Sequence, residues 1–402
     1  MGNWAFSWVQ IVAHNKIKLM VLWLVLSLIS FVGLNREEIM LSTESIMLLI
    51  CAFLLMAFVT GYFLESRKIA MLQLGLSGYS TLMTLGLVSW LGVPVENESL
   101  LGLVVLMTVV SGNLIHVFST LSREMARGLF QYDAIAEAIK LNHTPILLSN
   151  LTTALGFGVA AFFESSLMHL ATLVGLGCLF AYFLILIAVP IILLSWLLEF
   201  RVGNSKDRHG MAFVLKRLEA NRWIRPLILF VTFLLCFALF TLNHIQSEFF
   251  EGLLAIGCTF LLLFWWAYKH FTLALFNVVT CVLALLISLL IFTLLFENHH
   301  WLSIIWMIPL GIIVDDTIHF FSRFVRAKQQ YFNEPKSAMK FAIASVGRAV
   351  WITSWVVCIG LAVLLFSSVE IVWQSAALTI VGVVLITYIV IILFPALFIV
   401  NK

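Results

Sequence analysis

Two adjacent carboxylates and a histidine are the residues best suited to proton chemistry. Asp315 and Asp316 sit deep inside an apolar run, and His319 follows Asp315 by four positions, on the same face of a helix. An ionised carboxylate at the bilayer centre costs at least ~2.5–3.5 kcal/mol. No Lys or Arg lies at comparable depth in any apolar run. We therefore expect at least one of the two carboxyls to be protonated part of the time near neutral pH.

The pair should behave as one proton-binding unit. Adjacent carboxyls titrate together rather than as two independent groups, and a histidine on the same face can share or relay the proton. The alternative is that both carboxyls only hydrogen-bond neighbouring helices. For lone polar residues such as Asn113 or Ser149 that structural role is favoured, whereas two carboxyls at mid-span favour a proton-responsive site.

The elements that position these groups are membrane-spanning helices. The 402 residues are 62% hydrophobic and 11% charged, while soluble domains carry roughly 25% charged residues. A helix needs about 20 mostly apolar residues to cross the hydrocarbon core. Runs of that length predict an all-α polytopic membrane protein with twelve spans, at 17–34, 45–65, 69–93, 99–121, 145–163, 168–198, 224–243, 250–268, 271–296, 301–325, 347–367 and 371–399.

The basic residues predict the orientation of these spans. With both termini in the cytoplasm, all of the 23 Lys and Arg except Arg36 fall in or beside inside loops, and the outer loops carry glutamates. The sequence therefore predicts a multi-pass protein of a bacterial inner (cytoplasmic) membrane. Amphipathic stretches at 4–15 and 211–222 favour short helices lying at the membrane surface, the alternative being ordinary linkers.

An internal repeat divides the chain into two six-helix halves. The segment Ile115-His116-Val117-Phe118-Ser119 recurs as Ile318-His319-Phe320-Phe321-Ser322, an offset of 203 positions, and Pro190 recurs as Pro395. We predict a first repeat at 1–200, a linker at 201–223 and a second repeat at 224–402. An even number of spans in each half predicts parallel repeats with a site at their interface near the midplane.

The motif around the carboxyl pair resembles a known family. Gly311-Ile-Ile-Val-Asp315-Asp316-Thr-Ile-His319 is similar to the GxxxD-D/Y motif of resistance-nodulation-division (RND) transporters, in the form found in the MMPL and Patched-like branches. The polar start of span 11, with Thr353 and Ser354, also matches. The resemblance implies an RND-type core in which Asp315, Asp316 and His319 form the proton relay. It implies facing polar partners at Asn113, His116, Thr353 and Ser354.

Two features depart from that family. The span-4 copy of the motif reads Ser111-Gly112-Asn113, so proton coupling would rest on the second half alone. Members of the family also carry large extracytoplasmic domains after spans 1 and 7, but here those intervals are about 10 residues (35–44) and about 6 residues (244–249). The sequence therefore predicts the membrane core without these domains.

The remaining residues argue against other chemistry. His299 and His300 lie in an outer loop and are expected to be solvated, the cysteines lie inside apolar runs, and we expect no metal site. No P-loop or catalytic triad is present, so the sequence predicts neither an enzyme nor a bound cofactor, with the proton gradient as energy source. The basic residues lie at loops and span ends and do not suggest nucleic-acid binding.

Three functions remain open at this point. The first is a proton-driven secondary transporter that exports or relocates a hydrophobic or lipid-like molecule. The second is an energising or scaffold subunit that works with a separate extracytoplasmic partner, which the short outer loops favour. The third is a lipid-sensing membrane domain in which the carboxyls are structural. Oligomer formation is compatible with each of them.

Overall fold

The protein is helical wherever its structure is described. The computed structural model describes residues 4–35, 39–196, 226, 247–295, 305–330 and 334–399, and within these ranges the only β contact is an isolated bridge between Ile39 and Val95. The helices are α1 (Trp4–His14), α2 (Lys16–Gly33), α3 (Thr43–Leu64), α4 (Arg67–Trp90), α5 (Ser99–Ala126), α6 (Gln131–Phe163), α7 (Met168–Phe183), α8 (Val189–Ser195), α9 (Ser247–Tyr268), α10 (Phe271–Leu295), α11 (Met307–Gln330), α12 (Pro335–Leu364), α13 (Glu370–Tyr388) and α14 (Phe394–Ile399).

Eleven of the twelve predicted spans coincide with described helices. Ten are long and apolar enough to cross a membrane. The eleventh is α11, in which any 18 consecutive residues include at least three charged ones because Asp315, Asp316 and Arg323 lie close together. Apart from residue 226, the predicted span at 224–243 and the linker at 201–223, with its surface helix at 211–222, lie outside the described residues. The chain is a multi-pass membrane protein.

Two helices begin well before the spans that the apolar runs predict. The apolar runs begin at 145 and 347, but α6 begins at Gln131 and α12 at Pro335. The additional turns carry polar residues such as Glu137 and Lys140 on one side and buried alanines on the other. They are amphipathic, so hydropathy alone did not separate them from a loop.

Helix boundaries recur along the chain at a nearly constant offset. The turn between α3 and α4 contains Glu65 with φ 52°, and the turn between α9 and α10 contains Lys269 with φ 57°, 204 positions later. The segments Leu184–Ala188 and Ile389–Leu393 are both π-helical, and each is followed two residues later by the repeated proline. A π-helical turn is rare, so its recurrence at the same place is strong evidence of the repeat.

The two central helices are α5 and α11, which are the equivalents of one another in the two halves. The most apolar 18 residues of α5 are completely buried, and nearly all of α11 from Met307 to Val325 is buried as well. In contrast, α2 lies at the periphery with most of its apolar surface exposed. Apolar exposure of this kind is expected where lipid is the solvent.

The N-terminal helix is attached to the first half. Ala5, Val9 and Val12 of α1 are fully buried, and α1 packs against α6 and α8. Trp8 donates its indole N–H to the carbonyl of Leu186, inside the first π-helical segment, at 2.9 Å. The structure thus shows the predicted helix within 4–15, held by protein contacts on one face.

Candidate functional site

Close backbone contact between α6 and α11 sets the position of the carboxyl pair. A Cβ placed on Gly311 would lie 3.0 Å from the carbonyl oxygen of Thr152 and from Cα of Thr153. A Cβ placed on Gly156 would lie 3.2 Å from Cα of Gly311. The Thr153 hydroxyl donates to the Gly311 carbonyl at 3.1 Å. The motif glycine is therefore needed for close helix approach, as small residues are in membrane bundles.

Asp316 is enclosed by hydroxyl groups from two other helices. Its Oδ1 accepts from Thr353 Oγ1 at 3.1 Å, and its Oδ2 accepts from Ser354 Oγ at 2.9 Å and from Thr387 Oγ1 at 3.1 Å. The residue is 5% exposed. Asp316 thereby joins α11 to α12 and α13. The hydroxyls supply the donors that an ionised carboxylate needs when it is out of water.

The same hydroxyls also suit a protonated carboxyl. Thr353 Oγ1 lies 2.9 Å from the carbonyl of Val350, Ser354 Oγ lies 2.7 Å from that same carbonyl, and Thr387 Oγ1 lies 2.7 Å from the carbonyl of Val383. Each hydroxyl has one proton and can rotate between the two acceptors. When Asp316 is neutral, its own O–H can donate to Ser354 or Thr387. Both protonation states can therefore be hydrogen-bonded by the same three side chains.

Asp315 lies beside a small polar cavity. The cavity has a volume of about 20 Å³, which is room for one water molecule. It is lined by both carboxyls and by hydroxyl-bearing side chains, among them Thr108, Ser149 and Thr153. Asp315 Oδ2 lies 3.6 Å from the position of a Cβ on Gly112. Because Gly112 has no side chain, the space next to the Asp315 carboxylate on the side of α5 stays open.

The two repeated histidines stack on one another between the halves. The imidazole rings of His116 and His319 have centroids 3.5 Å apart and an interplanar angle of 4°. They are 1% and 2% exposed. His319 Nε2 lies 3.6 Å from Asp315 Oδ1, which is too long for a direct hydrogen bond. Within the described residues, both nitrogens of His116 and Nε2 of His319 lack a hydrogen-bond partner.

Asn113 takes part in a separate network inside the first half. Its Nδ2 donates to Asn150 Oδ1 at 2.9 Å, and Asn150 Nδ2 donates to the carbonyl of Cys178 at 2.9 Å. This amide ladder links α5, α6 and α7, as Asp316 links α11, α12 and α13. The first half thus has a hydrogen-bonded counterpart of the Asp316 site that contains no titratable carboxyl.

Comparison with known protein families finds a similarity in the second half of the chain. Residues 245–401 match the model of the MMPL family. The match covers 157 of the 402 residues. No curated protein sequence matches the chain.

Solved structures of RND and MMPL-type membrane proteins have the same fold. SecDF from Thermus thermophilus, a translocon-associated membrane protein, matches with 14% identity and a TM-score of 0.65, over 89% of this chain and 62% of that one. SecDF in its super-membrane-facing form matches with 15% identity and a TM-score of 0.59, over 89% and 61%. The hedgehog release protein Disp from the water bear Hypsibius dujardini matches with 10% identity and a TM-score of 0.68, over 88% and 70%.

These similarities show that the chain has the membrane-core fold of these proteins. The chain spans about six tenths of the length of the SecDF chains. At these identities the comparison concerns the fold alone.

Not every predicted site residue contacts the carboxyl pair. Thr353 and Ser354 bind Asp316 directly, whereas His116 contacts His319 and Asn113 pairs with Asn150. Sequence reasoning missed Thr387, 71 positions beyond Asp316. The only signal for it was a polar residue within the most apolar part of the last span.

His116, Asp315 and His319 lie close enough together to be considered as ligands of one metal ion. One donor atom each from His116, Asp315 and His319 lie within 4.8 Å of one another. A metal ion binds in the plane of an imidazole ring, at about 2.0–2.1 Å for zinc. An ion shared by two parallel rings 3.5 Å apart would lie out of at least one ring plane by roughly 1.7 Å. The stacked arrangement does not fit a shared metal ion.

Proposed function

We propose that this protein is a proton-driven secondary transporter of the RND/MMPL type in a bacterial inner membrane, and that it exports or relocates a hydrophobic or lipid-like molecule. The observation that carries the proposal is the hydroxyl enclosure of Asp316. Three donors serve the ionised form, and the same three groups have backbone acceptors when the carboxyl is neutral. These hydroxyls can therefore serve the carboxyl both before and after it takes up a proton.

Proton binding changes how tightly three helices are joined. Hydrogen bonds to a charged group contribute about 1.5–3 kcal/mol each, and neutral ones about 0.5–1.5 kcal/mol. Protonation of Asp316 therefore weakens its ties to α12 and α13 by a few kcal/mol in total. A change of that size is enough to shift a two-state equilibrium between helix arrangements. Asp315, beside the cavity, is the second member of the proton-binding unit.

The nature of the cargo is supported only by analogy. Disp is described as a hedgehog release protein, and the resemblance to MMPL proteins favours a lipid-like molecule. Helices with exposed apolar faces, such as α2 and α9, border the lipid from which such a molecule would enter. The bacterial membrane is supported by the similarity to SecDF from a bacterium.

The test compares strains that differ in the carboxyl pair. A deletion strain is complemented with wild type, with Asp315→Asn/Asp316→Asn, or with Asp133→Asn, at equal protein level. Asp133 lies in the first turn of α6 and receives the same chemical change away from the site. Lipids and hydrophobic metabolites are profiled in inner membrane, outer fractions and medium. We expect the double variant to redistribute the same molecules as the deletion, and Asp133→Asn to match wild type.

The shortness of the outer loops favours a second candidate function, an energising or scaffold subunit. The α2–α3 and α4–α5 connections are tied together, since Met40 N donates to the Val95 carbonyl and Ser42 N donates to Asn97 Oδ1. A separate extracytoplasmic protein would then handle cargo. Stable co-purification of such a partner supports this candidate. Loss of function on deletion, with the double Asn variant fully active, supports the lipid-sensing domain.

A further inference from the structure

Two arginines related by the repeat join the two halves at one end of the bundle, here called the basic end. Arg123 of α5 and Arg326 of α11 are 203 positions apart, the offset that also relates the stacked histidines. Arg123 donates to the carbonyl of Ser345 in α12, and Arg326 donates to the carbonyl of Lys140 in α6 at 3.4 Å. Each arginine therefore reaches from the central helix of its own half to a helix of the other half.

A third arginine at the basic end is buried without an acceptor. Arg323 lies one turn before Arg326 on α11 and is 6% exposed. Among the described residues, no acceptor lies within hydrogen-bond or ion-pair distance of its guanidinium. The charges that act on it most strongly are the positive charges of Arg123 and Arg326. A buried charge is unfavourable unless it is paired, so this position favours a bound anion.

The carboxylates near Arg323 are shared among more cations than they can balance. The negative charges that act on Arg323 are those of Glu124 and Glu137. Glu124 already pairs with two other arginines, at 3.1 Å each, and Glu137 pairs with a lysine at 2.8 Å. The basic side chains that share these two carboxylates are Arg123, Arg127, Lys140, Arg323 and Arg326. An anion from outside the described residues would balance the excess of positive charge.

The depth of these arginines suits a group at the membrane surface. Arg323 follows Asp316 by seven residues, which is about 10 Å along a helix, and half of the hydrocarbon core is about 15 Å thick. With the carboxyl pair near the midplane, Arg323 lies just inside the boundary of the hydrocarbon and Arg326 lies at it. On the facing helix, one turn before Arg123, the hydroxyl of Ser119 also lacks a hydrogen-bond partner among the described residues. These buried donors thus lie where a lipid head group can reach them.

We propose that Arg323 and Arg123 bind a phosphate group between the two halves at the basic end, with Arg326 adding its charge. A guanidinium offers five N–H donors in a planar fork that matches two phosphate oxygens at once. All donors of Arg323 are available among the described residues. Among the same residues, Arg123 uses its Nε for Glu124 and its Nη1 for Ser345, and its Nη2 stays available. Bound in this place, the phosphate joins α5 to α11.

The phosphate can come from a lipid or from solution, because both sources present the same oxygens to the arginines. Basic pockets between membrane helices on the cytoplasmic side bind anionic lipid head groups, and the distribution of Lys and Arg predicts that the basic end faces the cytoplasm. A soluble phosphate compound would be recognised in the same way. The site is independent of proton coupling at Asp315 and Asp316, so its test leaves the proposed function untouched.

The test measures the thermal unfolding midpoint of purified full-length protein in neutral detergent and phosphate-free buffer. Inorganic phosphate, phosphatidylglycerol and zwitterionic phosphatidylcholine are added in separate titrations. We expect phosphatidylglycerol to raise the wild-type midpoint in a saturable way, and phosphatidylcholine to have a smaller effect. Arg323→Gln should need roughly 10- to 100-fold more ligand for the same effect, the factor for one charge-assisted hydrogen bond. Without added anion, Arg323→Gln should unfold at a higher temperature than wild type, because an unpaired buried charge is gone.

Two further variants separate specific binding from a general effect of charge. Lys328→Gln removes the same charge from an exposed position of α11 and should titrate like wild type. Arg323→Lys keeps the charge but loses the planar fork, and it should show an intermediate affinity. An Arg323-dependent response to phosphatidylglycerol alone supports a lipid head group, and one to inorganic phosphate supports a soluble phosphate compound. An equal response in wild type and Arg323→Gln, or no response in wild type, overturns the phosphate site.

Discussion

Asn150 in α6 and Ser354 in α12 lie 204 positions apart, and each hydrogen-bonds the polar side chain of the central helix in its own half. Asn150 accepts from Asn113, and Ser354 donates to Asp316. The two halves thus keep the same three-helix connection with different chemistry. The first connection is independent of pH because amides do not titrate, and the second can respond to a proton.

Asp316→Asn should abolish proton-driven transport without unfolding the protein. An amide resembles the protonated carboxyl in shape and can both donate and accept among Thr353, Ser354 and Thr387. We expect transport activity to fall to the level of the deletion strain. The midpoint of thermal unfolding in detergent should stay close to that of wild type. A fully active Asp316→Asn protein would contradict the proton-binding role.

Removal of one of the three hydroxyls around Asp316 should measurably destabilise the ionised form of the carboxyl. Thr387→Val deletes one donor to the carboxylate and preserves the side-chain shape. Loss of a hydrogen bond to a charged group costs about 1.5–3 kcal/mol, and transport should fall accordingly. Thr379→Val is the control, because Thr379 lies on the same helix and, among the described residues, hydrogen-bonds only the Ser375 carbonyl, at 2.6 Å. Equal activity of the two variants would argue against the hydroxyl enclosure.

Gly311→Ala should destabilise the packing of α11 against α6. The added methyl would contact backbone atoms of Thr152 and Thr153 at 3.0 Å, and overpacking of this kind costs about 1–3 kcal/mol. Gly158→Ala provides the comparison, since no atom lies within 4 Å of a Cβ at that position of α6. Thermal unfolding of the two purified variants checks the difference. Gly158→Ala should equal or exceed wild type because alanine favours helix.

Asn113→Leu should cost stability but leave proton binding in place. The substitution removes the donor to Asn150 Oδ1 inside the bundle, and an unsatisfied buried acceptor costs about 1–3 kcal/mol. The carboxylic C=O infrared band that disappears in Asp315→Asn/Asp316→Asn should keep its amplitude. A loss of that band in a folded Asn113→Leu protein would show that the two halves are not chemically separate.

Trp8→Phe should loosen the N-terminal helix. The ring is kept, but the indole N–H to the Leu186 carbonyl is lost, at a cost of about 0.5–1.5 kcal/mol. Limited proteolysis near the N-terminus should become faster. Trp265→Phe, on the exposed face of α9, should be cleaved at the wild-type rate. Identical proteolysis of both variants would mean that the Trp8 contact does not hold α1.

The sequence predicts the helices well because each needs only a long apolar run. It also points to Asp315, Asp316, Thr353 and Ser354, since buried charges and repeated motifs are local features. The facing of helices is a tertiary property, so neither the contact of Thr387 with Asp316 nor the pairing of Asn113 with Asn150 follows from spacing. The repeat shows that His116 and His319 occupy equivalent positions in the two halves. It does not predict that their rings stack.

The glycine at position 112 bears on how much energy the membrane potential can deliver through the carboxyl pair. A Cβ at that position would lie 3.6 Å from Asp315 Oδ2, so an acid there would add a third carboxyl beside the pair. With glycine the pair consists of Asp315 and Asp316 alone, and the two carboxyls together bind two protons. A membrane potential of 100 mV supplies ~2.3 kcal/mol per charge moved. Two protons would then supply about 4.6 kcal/mol, equivalent to roughly a 2,000-fold concentration ratio of a neutral cargo. With a glycine at position 112, this is the electrical energy that the carboxyl pair alone can contribute when it carries two protons across.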